Sequence, residues 1–409
     1  MRLFERSIKS HNGTSGSLTV YNDVLQAPKT QEPLFVQVPV KALYHYPTRI
    51  YKRNGRRTPL DHWCFRTRGF RVLAEALQAG YRARAVVRKA EQVTKIKATK
   101  SISPYADKVE FAVVPDLSVD GAFDAHTAGV SYILHVAAQQ FTSVDVPIDV
   151  AEFAKSNVKF TENILEAAAK APSVKRVLIT SSVTTLFTGE GLQGDSDLVL
   201  SWKSEVAKDL VSPHPEKAVG PIAYVISKVL SAKLVEKFVE ERKPHFTVAS
   251  ILLGTTIGRF ELASESKELV SGSNIVPLAP LLGFPFPPTQ SVFIHIDDAA
   301  QSHIKALTID IAPGTVRKIV PVYNTAANPD AFTWDDSIAI VKKHFPGVIE
   351  SGAFPLGGTV PKRKCLVDSS EDEKVLGLKF KTYEEAVVDL ITQFLTLAQA
   401  AQAAAAASA

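Results

Sequence analysis

The sequence predicts an α/β fold in which helices cover both faces of a parallel sheet, followed by a smaller C-terminal part. Three observations carry this. Continuous apolar runs at 109–114, 130–138, 176–180 and 246–253 read as strands buried on both faces, the pattern of parallel sheets. Segments with helical spacing at 70–79, 150–170 and 224–242 alternate with them, as βαβ units require. The composition, 45% hydrophobic and 22% charged over 409 residues, is that of a globular chain able to bury a large core.

Taken in order, residues 1–68 have no sustained period. The run Leu34-Phe-Val-Gln-Val-Pro-Val40 has strand character, but Pro39 would end it or confine it to an edge. Asn12-Gly13 and Asn54-Gly55 are turn formers, and Lys52, Arg53, Arg56 and Arg57 form a basic cluster. This stretch reads as an irregular, poorly ordered or aberrant extension. From Gly69 the pattern changes. Val72, Leu73, Ala76 and Leu77 share a helix face, and Gly80 stands where a terminating glycine belongs. Arg84-Ala-Val-Val-Arg88 is the next strand. The proline-rich stretch 275–288 reads as a loop near the substrate opening, and 396–409 as an alanine-rich, frayed helical tail. The predicted division is 1–68 unassigned, 69–254 cofactor-binding, 255–395 substrate-binding with segments returning to the first domain, and 396–409 tail.

Composition excludes several function classes. No run of roughly eighteen apolar residues exists, so no membrane-spanning helix is expected. Cys64 and Cys365 are too few for a disulfide framework and have no metal-ligand spacing, which favours a reducing, cytoplasmic setting and no metal. The net charge of +5 hides an asymmetry: residues 1–68 carry twelve Lys/Arg against four Asp/Glu, the remainder 35 against 38. The main body is therefore not a nucleic-acid binder by composition, although the basic first segment has nucleic-acid patch or transit peptide as its sharper readings. The sequence leaves the oligomeric state open.

The chemistry concentrates in Ala-Tyr-Val-Ile-Ser-Lys (223–228) and Ile-Thr-Ser-Ser (179–182). Tyr224 and Lys228, four apart on a helix, leave one face a turn from each other. An ammonium beside a phenol favours the phenolate, so Tyr224 suits a general acid that protonates a carbonyl oxygen near neutral pH. Ser182, closing a strand, can hold that oxygen. A dinucleotide needs its pyrophosphate at a helix N-terminus beside a strand, with glycines permitting close approach. Gly69 is placed as the last glycine of such a loop, yet Arg66 and Trp63 occupy the positions three and six residues earlier, and no convincing strand precedes them. The first strand and glycine loop are expected to be missing. Arg88 and Lys89 end the next strand where an acidic residue would bind the ribose of NAD; arginine there pairs with a 2′-phosphate and favours NADP(H) over NAD(H), or is a surface arginine. Asp116 and Leu117 close the third strand, where an adenine could rest, though Asp116 is equally a loop carboxylate. Ala137 and Ala138 leave room beside a nicotinamide. His135 reads as a strand histidine without a catalytic role.

From Gly69 to about residue 395 the chain resembles an extended short-chain dehydrogenase/reductase of the NAD-dependent epimerase/dehydratase superfamily, nearest the dihydroflavonol-reductase-like branch with its fungal methylglyoxal and ketone reductases. The likeness lies in Phe-Arg-Val-Leu-Ala-Glu-Ala-Leu-Gln-Ala-Gly-Tyr (70–81), His-Val-Ala-Ala (135–138), Asn-Ile-Leu-Glu-Ala-Ala (163–168), Val-Leu-Ile-Thr-Ser-Ser (177–182), Tyr-Val-Ile-Ser-Lys (224–228) and Phe-Ile-His-Ile-Asp-Asp-Ala-Ala (293–300). The resemblance implies a Rossmann fold and hydride transfer from a nicotinamide cofactor to a small or medium aldehyde or ketone. It implies Tyr224 as general acid, Lys228 as the group that lowers its pKa and binds the nicotinamide ribose, and Ser182 as the polarising hydroxyl. It also implies a structural strand–helix start at His295-Ile-Asp297, with Asp297 or Asp298 as N-cap. The chain departs from the pattern at the missing glycine loop, at Leu253 and at Arg259, where the family commonly has proline. A match that starts inside one motif motivates the hypothesis that residues 1–68 derive from a wrong exon, a retained intron or a shifted frame. Two other readings stand beside the reductase: a catalytically impaired or non-catalytic relative without the glycine loop, and a sugar-nucleotide epimerase or hydroxysteroid-type dehydrogenase, since the same triad serves those reactions.

Overall fold

The computed structural model describes residues 33–37, 67–141, 146–210 and 215–408. Seven strands form one sheet: β1 (Pro33–Gln37), β2 (Arg82–Val87), β3 (Val109–Val113), β4 (Tyr132–His135), β5 (Arg176–Ser182), β6 (Thr247–Leu253) and β7 (Val316–Ile319). Their order is β7-β6-β5-β4-β1-β2-β3, and every ladder is parallel. This is the doubly wound, Rossmann-type order, which reverses direction between β1 and β4 and opens a crevice there at the carboxyl ends of the strands.

Parallel strands need crossovers, and helices before β7 supply them; the described α-helices of seven or more residues are α1 (Thr67–Gln78), α2 (Glu91–Lys97), α3 (Val150–Lys170), α4 (Gly220–Arg242), α5 (Ile275–Leu282), α6 (Ile296–Lys305), α7 (Asp336–His344), α8 (Ser370–Leu376) and α9 (Tyr383–Ser408), the last three following the sheet. Strand residues alternate between the two faces. Ala85, Leu134, Leu178 and Ala249 join Leu73 and Leu77 of α1 in one buried cluster, while Val86, Ile133, Val177 and Val248 join Ile164 of α3 and Val235 of α4 in another. Each fully buried leucine or valine contributes roughly 1.5–3 kcal/mol. α1 ends as the sequence predicts. Gly80 takes φ +91° and Tyr81 donates back to the Ala76 carbonyl at 3.1 Å. α4 ends with Lys243 in the left-handed region, before Pro244.

Several expectations are corrected. The first strand is not lost: Pro33–Gln37 lies at the centre of the sheet, paired with β2 on one side and β4 on the other. The sequence conceals it because 29 residues, 38–66, separate it from α1, whereas a βα turn usually has about two to six. The strand ends at Gln37 and, being paired on both sides, is no edge. Pro39 and the rest of 38–66, including the basic cluster, lie outside the described residues. Residues 275–282 are a helix, not a loop; Pro277 falls in the first turn, where its missing N–H costs nothing, and Pro280 is carried by a helix that is buried nearly throughout. The N-cap of α6 is neither Asp297 nor Asp298 but His295, whose Nδ1 accepts the Asp297 N–H at 3.1 Å. The alanine-rich stretch continues α9 without a break to Ser408.

Beyond β6 the chain builds short parallel pairs, Thr255–Ile257 with Phe293–His295 and Thr289–Gln290 with Lys362–Arg363. They rest on an aromatic group of Phe293, Phe332, Trp334 and Tyr383, where the Tyr383 hydroxyl donates to the Trp334 carbonyl at 2.8 Å. This region and α9 share one continuous buried cluster with α1.

Candidate active site

The site forms because β5 outruns one neighbour. Its ladder with β4 stops at Ile179, opposite His135, whereas its ladder with β6 continues to Ser182, opposite Leu253. Thr180, Ser181 and Ser182 therefore extend past β4 at the carboxyl end of β5, with no β4 partner there. The Ser182 hydroxyl accepts from the Thr184 N–H at 3.3 Å and the Thr184 hydroxyl at 2.9 Å, capping the turn Val183–Leu186. As an acceptor in both bonds, it keeps its own proton to donate.

α4 brings the other two residues. Pro221 in its first turn sets the helical φ, and Ala223, Val225, Ile226 and Val229 bury its flanks. Tyr224 is half-buried and lies edge-on to Phe141, centroids 6.1 Å apart. Lys228 is buried. Its ammonium lies 5.9 Å from the centre of the Tyr224 ring and donates to the Thr180 carbonyl at 3.1 Å. Tyr224 and Lys228 thus share one helix, and Lys228 is tied to the strand that carries Ser182.

Sequence reasoning missed the supporting polar residues. Asn157 of α3 accepts the Gln139 N–H at 2.6 Å and donates to the Ser227 hydroxyl at 3.1 Å, and Ser227 donates to the Tyr224 carbonyl at 2.7 Å. This links the segment after β4 to α4. The available signal was a polar residue on the apolar face of an amphipathic helix. His303 of α6 must carry its proton on Nδ1, which faces the Ala299 carbonyl at 2.7 Å. Its Nε2 therefore accepts the Thr180 hydroxyl at 2.8 Å. Burial pushes the His303 imidazole down to about 4. His135, at the end of β4, is pushed to about 3 by burial and by the Lys228 ammonium, so it stays neutral. It lines a small cavity behind the triad with Ala137, Asn157, Thr180 and Lys228.

The other predicted cofactor residues cluster at the carboxyl ends of β2, β3 and β4. Gly69 is buried in the first turn of α1, which begins two residues earlier than the sequence suggests. Arg88 donates Nε to the Pro115 carbonyl at 2.9 Å, and Gln92 holds the backbone N–H groups of Arg88 and Lys89. The Lys89 ammonium pairs with Glu91 at 3.6 Å. Asp116 accepts from both the hydroxyl and the N–H of Ser118, at 2.6 and 2.8 Å, and the hydroxyl bond above all holds its pKa below the usual carboxylate value. Leu117 is buried, and its carbonyl accepts from Asn163 at 2.9 Å. Ala137 and Ala138 are buried beyond β4.

Behind α1 lies an ionic network. Asp297 accepts from Arg71 at 2.6 Å and from Arg259 at 2.9 Å, and Arg71 also pairs with Glu75. Arg259 binds Asp389 of α9 through its guanidinium at 3.0 Å and its backbone N–H at 2.9 Å. Burial alone would raise the Asp389 pKa, but His295 and Arg259 bring it to about 2. The departure from proline at Arg259 is thus used, since proline has neither donor. Asp298 holds Lys381 at 3.0 Å.

Comparison with known proteins agrees with this fold. The model of the NAD dependent epimerase/dehydratase family matches residues 67–271. A ketoreductase of Cercospora nicotianae is 31% identical over 339 residues, covering 80% of this chain and 92% of the relative. An aldehyde reductase of Sporidiobolus salmonicolor is 29% identical over 330 residues, 78% of this chain and 91% of its own. Among solved structures, yeast methylglyoxal/isovaleraldehyde reductase complexed with NADPH superposes with a TM-score of 0.64 at 19% identity, covering 90% of this chain and 99% of that one. With its parallel sheet, its crevice and its relatives in agreement, the chain belongs to the NAD-dependent epimerase/dehydratase family.

Proposed function

We propose that the protein reduces a small or medium aldehyde or ketone to an alcohol with NADPH, and that Tyr224 donates the proton. The observation that carries this reading is Lys228, buried, bonded to Thr180 one turn below Tyr224, on the strand that ends in Ser182. Ser182 donates its free hydroxyl hydrogen to the substrate oxygen, and Tyr224 passes its proton to that oxygen as charge develops there. The Lys228 ammonium favours the phenolate that remains. The cofactor supplies the hydride. The chain's part is to hold the carbonyl carbon within reach and keep water out, with Phe141 beside the tyrosine ring.

The residues fit such a cofactor at both ends. The terminal nitrogens of Arg88 suit a 2′-phosphate, Asn163 steadies the 117–119 loop where an adenine would rest, and the small side chains of Ala137 and Ala138 admit a nicotinamide. The segment before α1, where the pyrophosphate between those two ends would be expected, lies outside the described residues. The relatives named as ketoreductase and aldehyde reductase favour carbonyl reduction over epimerisation. One observation favours a second reading, a relative impaired in cofactor binding: the segment joining β1 to α1 is 29 residues long and has Gly55 as its single glycine. Titration of the purified protein with NADPH, followed by fluorescence, then by absorbance with a carbonyl panel, separates the two. Absence of binding at millimolar NADPH would rule out the reductase reading for this chain.

A further inference from the structure

The short helix Gly189–Gln193 begins seven residues after Ser182. Its Leu192 side chain packs against two apolar groups, one with Val183, Leu186 and Phe187 from the turn after the serine, the other with Val225 and Val229 of α4. It therefore borders both catalytic elements. A five-residue helix has almost no stability of its own, so its position depends on what holds it. The Leu192 carbonyl accepts from Arg363 at 2.9 Å and from Gln290 Nε2 at 2.9 Å, and Gln290 also reaches the Gly191 carbonyl at 3.3 Å. Next to Arg363, the Lys364 N–H donates to Asp195 at 2.6 Å, and the Lys364 carbonyl accepts the Ser196 N–H at 3.0 Å. Gln290 and Arg363 are themselves paired in register in one two-stranded ladder. A segment from near the C-terminus thus clasps the stretch that follows the catalytic serine, through charged and amide donors on backbone acceptors.

We propose that Arg363, with Gln290, is a specificity-determining latch: it fixes the 189–193 wall and so sets how well bulky carbonyl compounds bind relative to small ones. A three-carbon aldehyde needs only the Ser182 and Tyr224 contacts, whereas an aryl ketone extends past them to the wall. The latch is a positioning device. Neither residue touches the reacting atoms, and the inference rests on the carbonyl-reductase reading of this site.

The test uses the full chain and the Arg363→Met and Gln290→Met/Arg363→Met variants. Binding of acetophenone and of propanal is measured by saturation-transfer NMR, which needs no turnover, and KM and kcat are measured with NADPH. The expected result is a fall in acetophenone affinity of at least about fivefold relative to propanal, larger in the double variant. It appears in KM rather than kcat, with faster hydrogen exchange in the 189–197 peptide. Equal losses for both compounds, or none, would overturn the latch. If the double variant fails to fold, the single variant decides by the same ratio. A parent chain that binds acetophenone selectively but never oxidises NADPH rejects the reductase reading alone; a parent that binds neither compound rejects both.

Discussion

In the proposed reaction Tyr224, Lys228 and Ser182 divide one proton transfer between them, and loss of Tyr224 or of Ser182 has its own signature. Tyr224→Phe removes the only proposed acid and should lower kcat by about 10²–10⁴-fold with little change in NADPH binding. Turnover within tenfold of the parent would deprive Tyr224 of its role. Ser182→Ala should cost roughly 10²-fold, as loss of one oxyanion donor does. Arg88→Ala should lower the preference for NADPH over NADH by about tenfold or more, the worth of a charge-assisted bond; an unchanged ratio of dissociation constants would remove Arg88 from the phosphate site. Two of the three buried histidines among the described residues, His303 and His135, make a pH prediction. Their folded pKa values, about 4 for His303 and about 3 for His135, lie below the ordinary 6.5. As pH falls below 6.5 the unfolded chain takes up protons that the folded one refuses, so stability declines progressively toward pH 4. His303→Gln should flatten that decline, read as the difference in melting temperature between pH 7 and pH 5.

At the scale of elements, what matters is how α1 and β5 are held. β5 was legible because a strand buried on both faces reads as an unbroken apolar run, and α3 matched its predicted limits because its apolar stripe and cap agree. α5 was not legible: local propensity argues against a helix containing Pro277 and Pro280, and only burial of its surface offsets that cost. The network around Asp297 was equally hidden, since Arg71, Arg259, Asp297 and Asp389 lie on four separate segments. It joins α1 to α6 and α9. Asp297→Ala leaves two guanidinium groups without their shared partner and should destabilise the fold by about 3 kcal/mol in urea unfolding. A change under about 0.5 kcal/mol would mean that solvent replaces the carboxylate freely.

For the whole molecule, the decisive feature is that the sheet's central strand precedes a 29-residue connection. The hypothesis that residues 1–68 are wholly foreign does not survive β1, because Pro33–Gln37 completes the ladder between β2 and β4. Its remaining form concerns residues 38–66, which stand where a short glycine turn would bring a pyrophosphate to the N-terminus of α1. Replacing 38–66 with a four-residue turn containing two glycines should tighten NADPH binding by about tenfold or more. Equal affinity in the two chains would show that the long connection binds the cofactor by other means. A transcript that reads continuously through codons 60–70 would count heavily against an origin in faulty splicing.

The sequence alone determined the sheet's parallel character and the main helices that flank it, because each of these depends on short-range period and spacing. Tertiary structure decided the rest. A strand 29 residues from its helix carries no local mark of being central, since centrality is a matter of which neighbours supply its hydrogen bonds. The same holds for His303, Asn157 and Arg363. Each bonds to a partner more than 60 residues away in the chain, a distance that no local pattern spans.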